Sequence, residues 1–195
     1  RNLNQLVHLA SMAGFPVWHQ QLNRNLGRFG QFSNGFLSRH QPFEITDHRL
    51  PGLPGRGAIV IKYGHPIQPL VVVVAHLALG EKVRNTQLSY LARLLADYKY
   101  VVVMGDFNCR LNHLDHSPLA ALGLQTVQAD NLNTYPSWAP DRHIDHILLS
   151  PELESRHTRV LSDCLLSDHL PLATEIIIPD EVIAATREHR LPLID

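Results

Sequence analysis

The order of apolar and polar positions along the 195 residues predicts strands interleaved with a few helices. Apolar side chains recur at helical spacing before Gly14 and over residues 84–98, and Pro179 marks a short terminal helix. Runs rich in valine, isoleucine and leucine predict strands, namely at residues 17–22, 36–38, 58–63, 69–79, 101–104, 144–149, 158–161 and 172–178. Loops rich in Gly and Pro separate these runs without a linker or a repeat. We therefore expect a single domain over residues 1–195, an α/β (α+β) sandwich.

Two of the predicted strands end on polar residues that can do chemistry. Asp106 and Asn108 follow the strand at 101–104, and alternation along a strand lets both point the same way. The carboxylate can hold a water or a divalent cation, and the amide can hold a substrate oxygen. A plain turn is the alternative, since Asp and Asn are common in turns. His76 ends the valine strand at 71–75, where a lone histidine is more often a satisfied core residue.

Two further strands carry a carboxylate and a histidine. Asp145 lies within an otherwise apolar strand, and a buried carboxylate is costly unless it is paired or hydrogen-bonded. Asp168 and His169 are adjacent just before the last strand, so their side chains diverge and His169 needs an orienting group from elsewhere. Asp145 is the candidate for that group.

Composition and charge narrow the possible functions. A formal charge of −1 argues against a sequence-blind nucleic-acid coat protein. The longest apolar run, residues 70–79, is about half of what a membrane span needs. No leader is visible, and Cys109 and Cys164 make no disulfide framework, so a cytoplasmic location is expected. Thirteen histidines favour metal or acid–base chemistry, although most histidines in proteins are ordinary surface groups.

Positive charge concentrates in one segment. Residues 24–62 hold six basic and two acidic side chains, a net charge of +4 that leaves −5 for the rest of the chain. Such a segment could steer an anionic substrate toward acidic residues. It could equally be a solvated loop.

The ordered set of these segments resembles the endonuclease/exonuclease/phosphatase superfamily. The set consists of a strand followed by His76 and three motifs, Gly-Asp-Phe-Asn at 105–108, Ile-Asp-His-Ile-Leu at 144–148 and Ser-Asp-His-Leu-Pro at 167–171. Residues 34–39 look like the family's Gly-x-x-Leu-Ser-Arg strand, and Arg-Gly-Ala at 56–58 looks like another of its strand starts. The resemblance implies a four-layer αββα sandwich, with two packed mixed β-sheets flanked by helices.

The resemblance also implies hydrolysis of a phosphoester by in-line attack of water. Asp106 would orient or activate that water, and Asn108 would bind the phosphoryl group. His169 would contact a phosphate oxygen as base or charge stabiliser, held in position by Asp145. His76 would meet the phosphate from the other side. This chemistry needs a positioned water and donors aimed at the developing charge.

A metal ion and one further substrate contact complete what the resemblance implies. Mg²⁺, or Mn²⁺ in its place, would lie beside Asp168, and Arg39 would contact substrate. Family members begin with two strands, the second of which ends in the glutamate that is the principal metal ligand, and no such strand occurs in this sequence. We therefore expect the chain to be an N-terminally truncated domain that lacks its first two strands.

Several alternatives stay open at this point. One is a catalytically silent binding module of the same fold. Within the enzyme class, a DNA endonuclease or exonuclease competes with a lipid or small-molecule phosphodiesterase, which the near-neutral charge favours. Tyr135 and Trp138 could stack on a base, pack on a lipid or sugar, or cover the core. A zinc site at His143 and His146 or at His113 and His116 is disfavoured, because no cysteine accompanies either pair. The sequence carries no information on the oligomeric state.

Overall fold

The computed structural model of the protein describes residues 5–25, 27, 31–52 and 54–182. Its helices are α1 (Gln5–Ala13), α2 (Glu81–Leu95) and α3 (Leu111–Leu114), with a 3₁₀ turn at Ala120–Leu122. Its strands follow in chain order. They are β1 (Val17–Asn25), β2 (Gln31–Ser38), β3 (Glu44–Arg49), β4 (Gly57–Gly64), β5 (Pro69–His76), β6 (Tyr100–Asp106), β7 (Gln125–Thr126), β8 (Asp145–Leu149), β9 (Glu154–Val160) and β10 (Leu172–Ile177).

Most predicted elements are confirmed, and the differences have physical reasons. The hydrophobic pattern does not predict strand β3, because its sequence, Glu-Ile-Thr-Asp-His-Arg, is almost entirely polar. Strand β2 begins at Gln31, inside the segment predicted to be a Gly-rich loop. The predicted terminal helix begins at Asp180, and the residues after Val182 lie outside the described residues, as does Leu3 of the first helical pattern.

One six-stranded mixed sheet forms the centre of the molecule, in the order β3-β4-β5-β6-β8-β7. Its only parallel neighbours among the described strands are β5 and β6, and α2 makes the crossover between them. These two strands read Pro-Leu-Val-Val-Val-Val-Ala-His and Tyr-Val-Val-Val-Met-Gly-Asp, apolar residues except at their carboxyl ends. A strand buried on both faces is expected to be apolar throughout, so the polar ends stand out.

Each face of this sheet packs against a different layer. On one face, leucines of α2 cover Val71, Val73, Val101 and Val103. On the other face, the β1–β2 and β9–β10 hairpins cover the alternate side chains of the same strands. Alternation of side chains along β5 and β6 thus builds two apolar cores back to back.

The second layer consists of two separate antiparallel hairpins, β1–β2 and β9–β10, in the described part of the chain. Helix α1 lies outside the first hairpin, where Leu6 occupies the space beside Gly35. Helix, hairpins, sheet and helix make four layers, which confirms the predicted αββα sandwich. Val74 and Met104, on the hairpin side of the sheet, remain partly exposed. The absence of two strands stays a prediction.

Among the described residues, no helix is both long and apolar enough to cross a membrane.

Candidate active site

Three neighbouring strands of the main sheet bring polar residues into one row at their ends. In the strand register, His76 at the end of β5 is the partner of Asp106 at the end of β6. Asp106 is in turn the partner of Asp145, the first residue of β8. Directly opposed residues on adjacent strands have Cβ atoms about 5 Å apart. We call His76, Asp106 and Asp145 the carboxylate row.

Gly105 allows the row to form. Its φ is +138°, and a Cβ atom at this position would lie 1.9 Å from the carbonyl oxygen of Ala75 on β5. Any other residue would therefore push β5 and β6 apart just where His76 meets Asp106.

The carboxylate of Asp106 is held by several hydrogen bonds. Its Oδ1 accepts from the backbone N–H of Asn108 at 2.9 Å, and its Oδ2 lies 3.2 Å from His76 Nε2. Burial disfavours the charged form, but the hydrogen bonds from His76 and Asn108 outweigh it and lower the pKa of Asp106. Asp106 is therefore a carboxylate at neutral pH.

Asn108 does not continue the alternation that the sequence predicts, because β6 ends at Asp106. Asn108 instead has a φ of 51°, in the left-handed region. Its Nδ2 donates to the carbonyl oxygen of Leu77 at 2.9 Å and to Asp106 Oδ2 at 3.3 Å. The amide thus braces the row, with both N–H donors directed inward.

His76 lies between a cation and an anion. Arg56 Nη1 is 3.4 Å from His76 Nδ1, and Asp106 Oδ2 is 3.2 Å from His76 Nε2. A guanidinium can only donate, so Nδ1 accepts and Nε2 carries the hydrogen that Asp106 accepts. Both ring nitrogens of His76 are therefore engaged.

Asp145 orients the second histidine of the site, as the sequence predicts. His169 Nδ1 lies 2.7 Å from Asp145 Oδ2, and the hydroxyl of Thr134 donates to the same oxygen at 2.5 Å. Thr134 is fully buried. His169 Nε2 makes no hydrogen bond in the described part of the chain, so this nitrogen is free to exchange a proton or to bind an oxygen.

An aromatic contact and a backbone hydrogen bond position the segment that carries His169. The ring of Tyr135 lies 4.7 Å from the ring of His169. The guanidinium of Arg142 lies 4.5 Å from the centre of the Tyr135 ring. The backbone N–H of Ser137 donates to the carbonyl oxygen of Asp168 at 2.8 Å, which joins the two loops. Trp138, on the same loop, is 72% exposed.

Two predicted site residues are not brought into contact with the row. Asp168 is exposed, and its side chain contacts only the hydroxyl of Ser167 among the described residues. Arg39 lies 4.9 Å over the ring of Phe15 and 3.5 Å from the carbonyl oxygen of Ala13. The substrate role of Arg39 and the metal role of Asp168 stay predictions.

The donor set for a metal ion is incomplete. No group of three or more His, Cys, Asp and Glu side chains is arranged to hold a metal within the described ranges. The carboxylate of Asp106 is already engaged by His76 and Asn108. The described residues therefore do not by themselves fit the Mg²⁺ ion that the sequence predicts.

His143 and His146 form a tilted ring pair, and no metal-binding group of three side chains is found among the described residues. Their ring centroids are 4.2 Å apart, and His146 Nε2 bonds the carbonyl oxygen of Cys109 at 2.8 Å. Burial and the neighbouring His143 lower the pKa of His146 to about 4.

Cys109 and Cys164 are both free cysteines, as the sequence predicts. The cytoplasmic location stays a prediction.

Sequence reasoning missed two residues that contact the row. The sequence around Thr134 has no pattern that indicates a functional residue, because Thr134 lies in a loop without regular structure. Arg56 was seen only as part of a strand-start motif. A search for buried hydroxyls and for cations one strand away from a predicted histidine would have found both.

The chain matches a known protein family in sequence. The sequence model of the Endonuclease/Exonuclease/phosphatase family matches residues 2–169. No curated protein sequence matches the chain.

Solved structures match the fold at low sequence identity. An endonuclease/exonuclease/phosphatase family protein from Bacteroides thetaiotaomicron has a TM-score of 0.72 at 16% identity, covering 91% of this chain and 80% of that one. A mannosyl-6-phosphatase from the same organism has a TM-score of 0.67 at 17% identity, with coverage of 89% and 81%. D. rerio TDP2, complexed with a single-strand DNA product, has a TM-score of 0.65 at 17% identity, with coverage of 88% and 81%.

The family match extends through the carboxylate row to His169, and the similarity to solved structures extends over about nine-tenths of the chain. Sequence and fold therefore agree, and the chain belongs to the Endonuclease/Exonuclease/phosphatase family.

Proposed function

We propose that the protein hydrolyses a phosphoester, with the carboxylate row and His169 as its reacting groups. The observation that carries the proposal is the register that places Asp106 opposite Asp145, with His76 on one side and His169 on the other. Attack of water on phosphorus needs a group that orients the water and a group that meets the developing charge. The row and His169 supply one of each.

In this proposal Asp106 orients the attacking water. The pKa of Asp106 is lowered, so the group is ionised at neutral pH, and each carboxylate oxygen has more than one lone pair for accepting hydrogen bonds. His76 and Asn108 fix the orientation of the carboxylate through the contacts described above. Because both ring nitrogens of His76 are engaged, its supported role is to position Asp106 rather than to contact the phosphate.

His169 is proposed to contact a phosphoryl oxygen through its free Nε2. The bond from Nδ1 to Asp145 sets the tautomer and stabilises the charged ring when a proton arrives at Nε2. The second donor on Asp145, Thr134, restricts where that carboxylate can point. Asp145 and Thr134 therefore act through His169.

The substrate is proposed to be a small phosphoester or a lipid phosphodiester rather than duplex DNA. The formal charge of −1 supplies little of the excess positive charge that non-specific DNA binding needs. Among the solved relatives, one is a mannosyl-6-phosphatase and another holds a single-strand DNA product.

Dependence on Mg²⁺, or on Mn²⁺ in its place, belongs to the proposal as an expectation from the family resemblance. The described residues leave the metal site incomplete. We propose that the two expected strands fit between the hairpins, over the partly exposed Val74 and Met104, and carry the missing glutamate. A chain extended by those strands would then show metal-stimulated activity that residues 1–195 alone lack.

The incomplete donor set also supports a second candidate, a silent binding module of the same fold. Both candidates are tested by incubating a chain that retains the glutamate strand with bis-p-nitrophenyl phosphate, sphingomyelin or plasmid DNA, each with Mg²⁺, Mn²⁺ or EDTA. Release of product that is lost in His169→Ala and kept in the surface control His116→Ala supports the hydrolase. Binding without release, in a chain that retains the glutamate strand, supports the silent module.

A further inference from the structure

A second cleft opens beside the carboxylate row, on the Arg56 side of His76. It has a volume of about 400 Å³ and lies between the turn end of the β1–β2 hairpin, where Arg24 pairs with Phe32, the loop at 54–56 and the start of α2. Ten described residues line it, and none of them is acidic. The proposed hydrolysis at the row makes no use of this space.

Two unpaired cations face the cleft. Arg24 and Arg56 both line it, and neither forms an ion pair with a carboxylate in the described ranges. The stem of Arg24 lies against Gly55, where a Cβ atom would be 3.7 Å from Arg24 Cδ. Both arginines belong to the basic segment at 24–62, so at least part of that segment is a shaped surface rather than a solvated loop.

Buried polar groups fix the walls of the cleft. Gln87 is fully buried, and its Nε2 donates to the carbonyl oxygen of Pro51 at 2.9 Å while its Oε1 accepts from the N–H of Ala78 at 2.8 Å. Arg84 donates to the carbonyl oxygen of Leu79 at 2.7 Å. The two loops that form the cleft are thus tied to α2 before any ligand arrives, which lowers the entropy lost on binding.

Arg56 joins the cleft to the proposed reaction site. Arg56 lines the cleft and also lies 3.4 Å from His76 Nδ1, and His76 contacts Asp106. Apolar surface accompanies the charge, because Phe32 is 48% exposed and Leu79 is 74% exposed at the cleft. A ligand with its phosphoester at the row could place a short apolar linker and a second charged group here.

We propose that this cleft is a subsite for a second anionic group of the substrate. The inference rests on the proposed function in placing the phosphoester at the row, and it adds the substrate class: a small phosphoester that carries another phosphate or carboxylate. Arg24 is the specificity-determining residue, since it belongs to the cleft and makes no contact with the row among the described residues.

The test is a binding measurement that needs no turnover. Isothermal titration calorimetry compares propane-1,3-diyl bisphosphate with propyl phosphate at low ionic strength, on the unchanged chain and on His169→Ala. We expect the bisphosphate to bind about tenfold more tightly, from one added charge-assisted contact. The advantage should disappear in Arg24→Gln, should persist largely in Arg24→Lys, and should shrink in high salt.

Arg93→Gln is the matched control, because it removes the same charge from an exposed arginine near the far end of α2. Thermal unfolding of each variant shows whether it is folded. Equal binding of the two probes, or an advantage that survives in Arg24→Gln, overturns the subsite. A chain that retains the glutamate strand, prefers the bisphosphate and hydrolyses no phosphoester keeps the subsite and loses the proposed function, and the converse result does the opposite.

Discussion

The two histidines at the row differ in what surrounds them. His169 has a carboxylate on one nitrogen, with a buried hydroxyl on the same carboxylate oxygen, and its other nitrogen is free. His76 has a cation on one nitrogen and a carboxylate on the other. The first arrangement fixes the ring through one nitrogen and leaves the other for substrate, while the second engages both nitrogens and leaves none.

The same side chain is therefore suited to two different tasks in one site. A histidine that must gain or share a proton needs an anion behind it and free space in front. A histidine that must hold a carboxylate in place needs both nitrogens engaged. The pattern of partners, rather than residue type, distinguishes the reacting group from the positioning group, and the following predictions test that distinction in order of expected effect.

The largest effect is expected for His169→Ala. If His169 is the reacting histidine, kcat/KM for bis-p-nitrophenyl phosphate, measured on a chain that retains the glutamate strand, should fall by about a hundredfold to ten-thousandfold. Asp145→Asn should cost a similar factor, because it removes the charge that orients the ring. His116→Ala, on an exposed histidine, should leave the rate unchanged. A loss below threefold in His169→Ala would remove the basis of the comparison.

The next largest effect concerns His146, a histidine with neither a cation nor a carboxylate bonded to its ring. Its folded pKa of about 4 lies below the ordinary 6.5, so the unfolded chain binds the proton first as the pH falls. The free energy of unfolding should therefore fall by about 3 kcal/mol between pH 7 and pH 4 from this group alone.

Urea unfolding at both pH values measures that loss. In His146→Gln, which keeps a donor for the carbonyl oxygen of Cys109, the pH dependence should shrink by that amount. His116→Gln is the matched control and should keep the dependence of the unchanged chain. An undiminished pH dependence in His146→Gln would show that the ring binds a proton in the folded protein as readily as in the unfolded chain.

A smaller effect is expected for Thr134→Val, which removes the second donor on Asp145 while preserving shape. A hydrogen bond to a charged group is worth roughly 1.5–3 kcal/mol, so kcat should fall about tenfold or somewhat more. KM should change little, and the pH profile of kcat should move, because Thr134 acts through Asp145 and His169. Thr134→Ser should recover most of the rate. A change in KM alone would show that Thr134 is not a positioning residue for His169.

The smallest effect is expected for Arg56→Met, assayed with bis-p-nitrophenyl phosphate, which carries no second anionic group. The contact with His76 is long, at 3.4 Å, so the loss in kcat should be about threefold. Arg56→Lys should restore part of it. A loss as large as that of His169→Ala would mean that the two histidines share one role.

The ends of the strands could be predicted from the sequence, because each end is marked by a change from apolar to polar residues over a few positions. The polar ends of β5 and β6 interrupt valine runs, and that contrast located His76 and Asp106. The pairing of Asp145 with His169 could also be predicted, since a carboxylate inside an apolar strand requires a partner.

Contacts that depend on register could not be predicted in this way. Thr134 reaches Asp145 because its loop folds back toward β8, and no pattern near Thr134 records that path. Asn108 departs from strand alternation because the chain leaves the sheet at Asp106. Strand β3 has polar side chains and is held by pairing with β4, so its hydrophobic pattern carries no signal.

The glycine at position 105 has a consequence for how the sequence can vary. Because the Ala75 carbonyl occupies the space where a side chain would begin, no other amino acid fits there without parting the two strands. In a library that substitutes every position, position 105 should therefore tolerate no replacement. The lack of a side chain at Gly105 thus fixes the spacing of the reacting groups. Selection for activity would therefore preserve a residue that contributes only main-chain atoms.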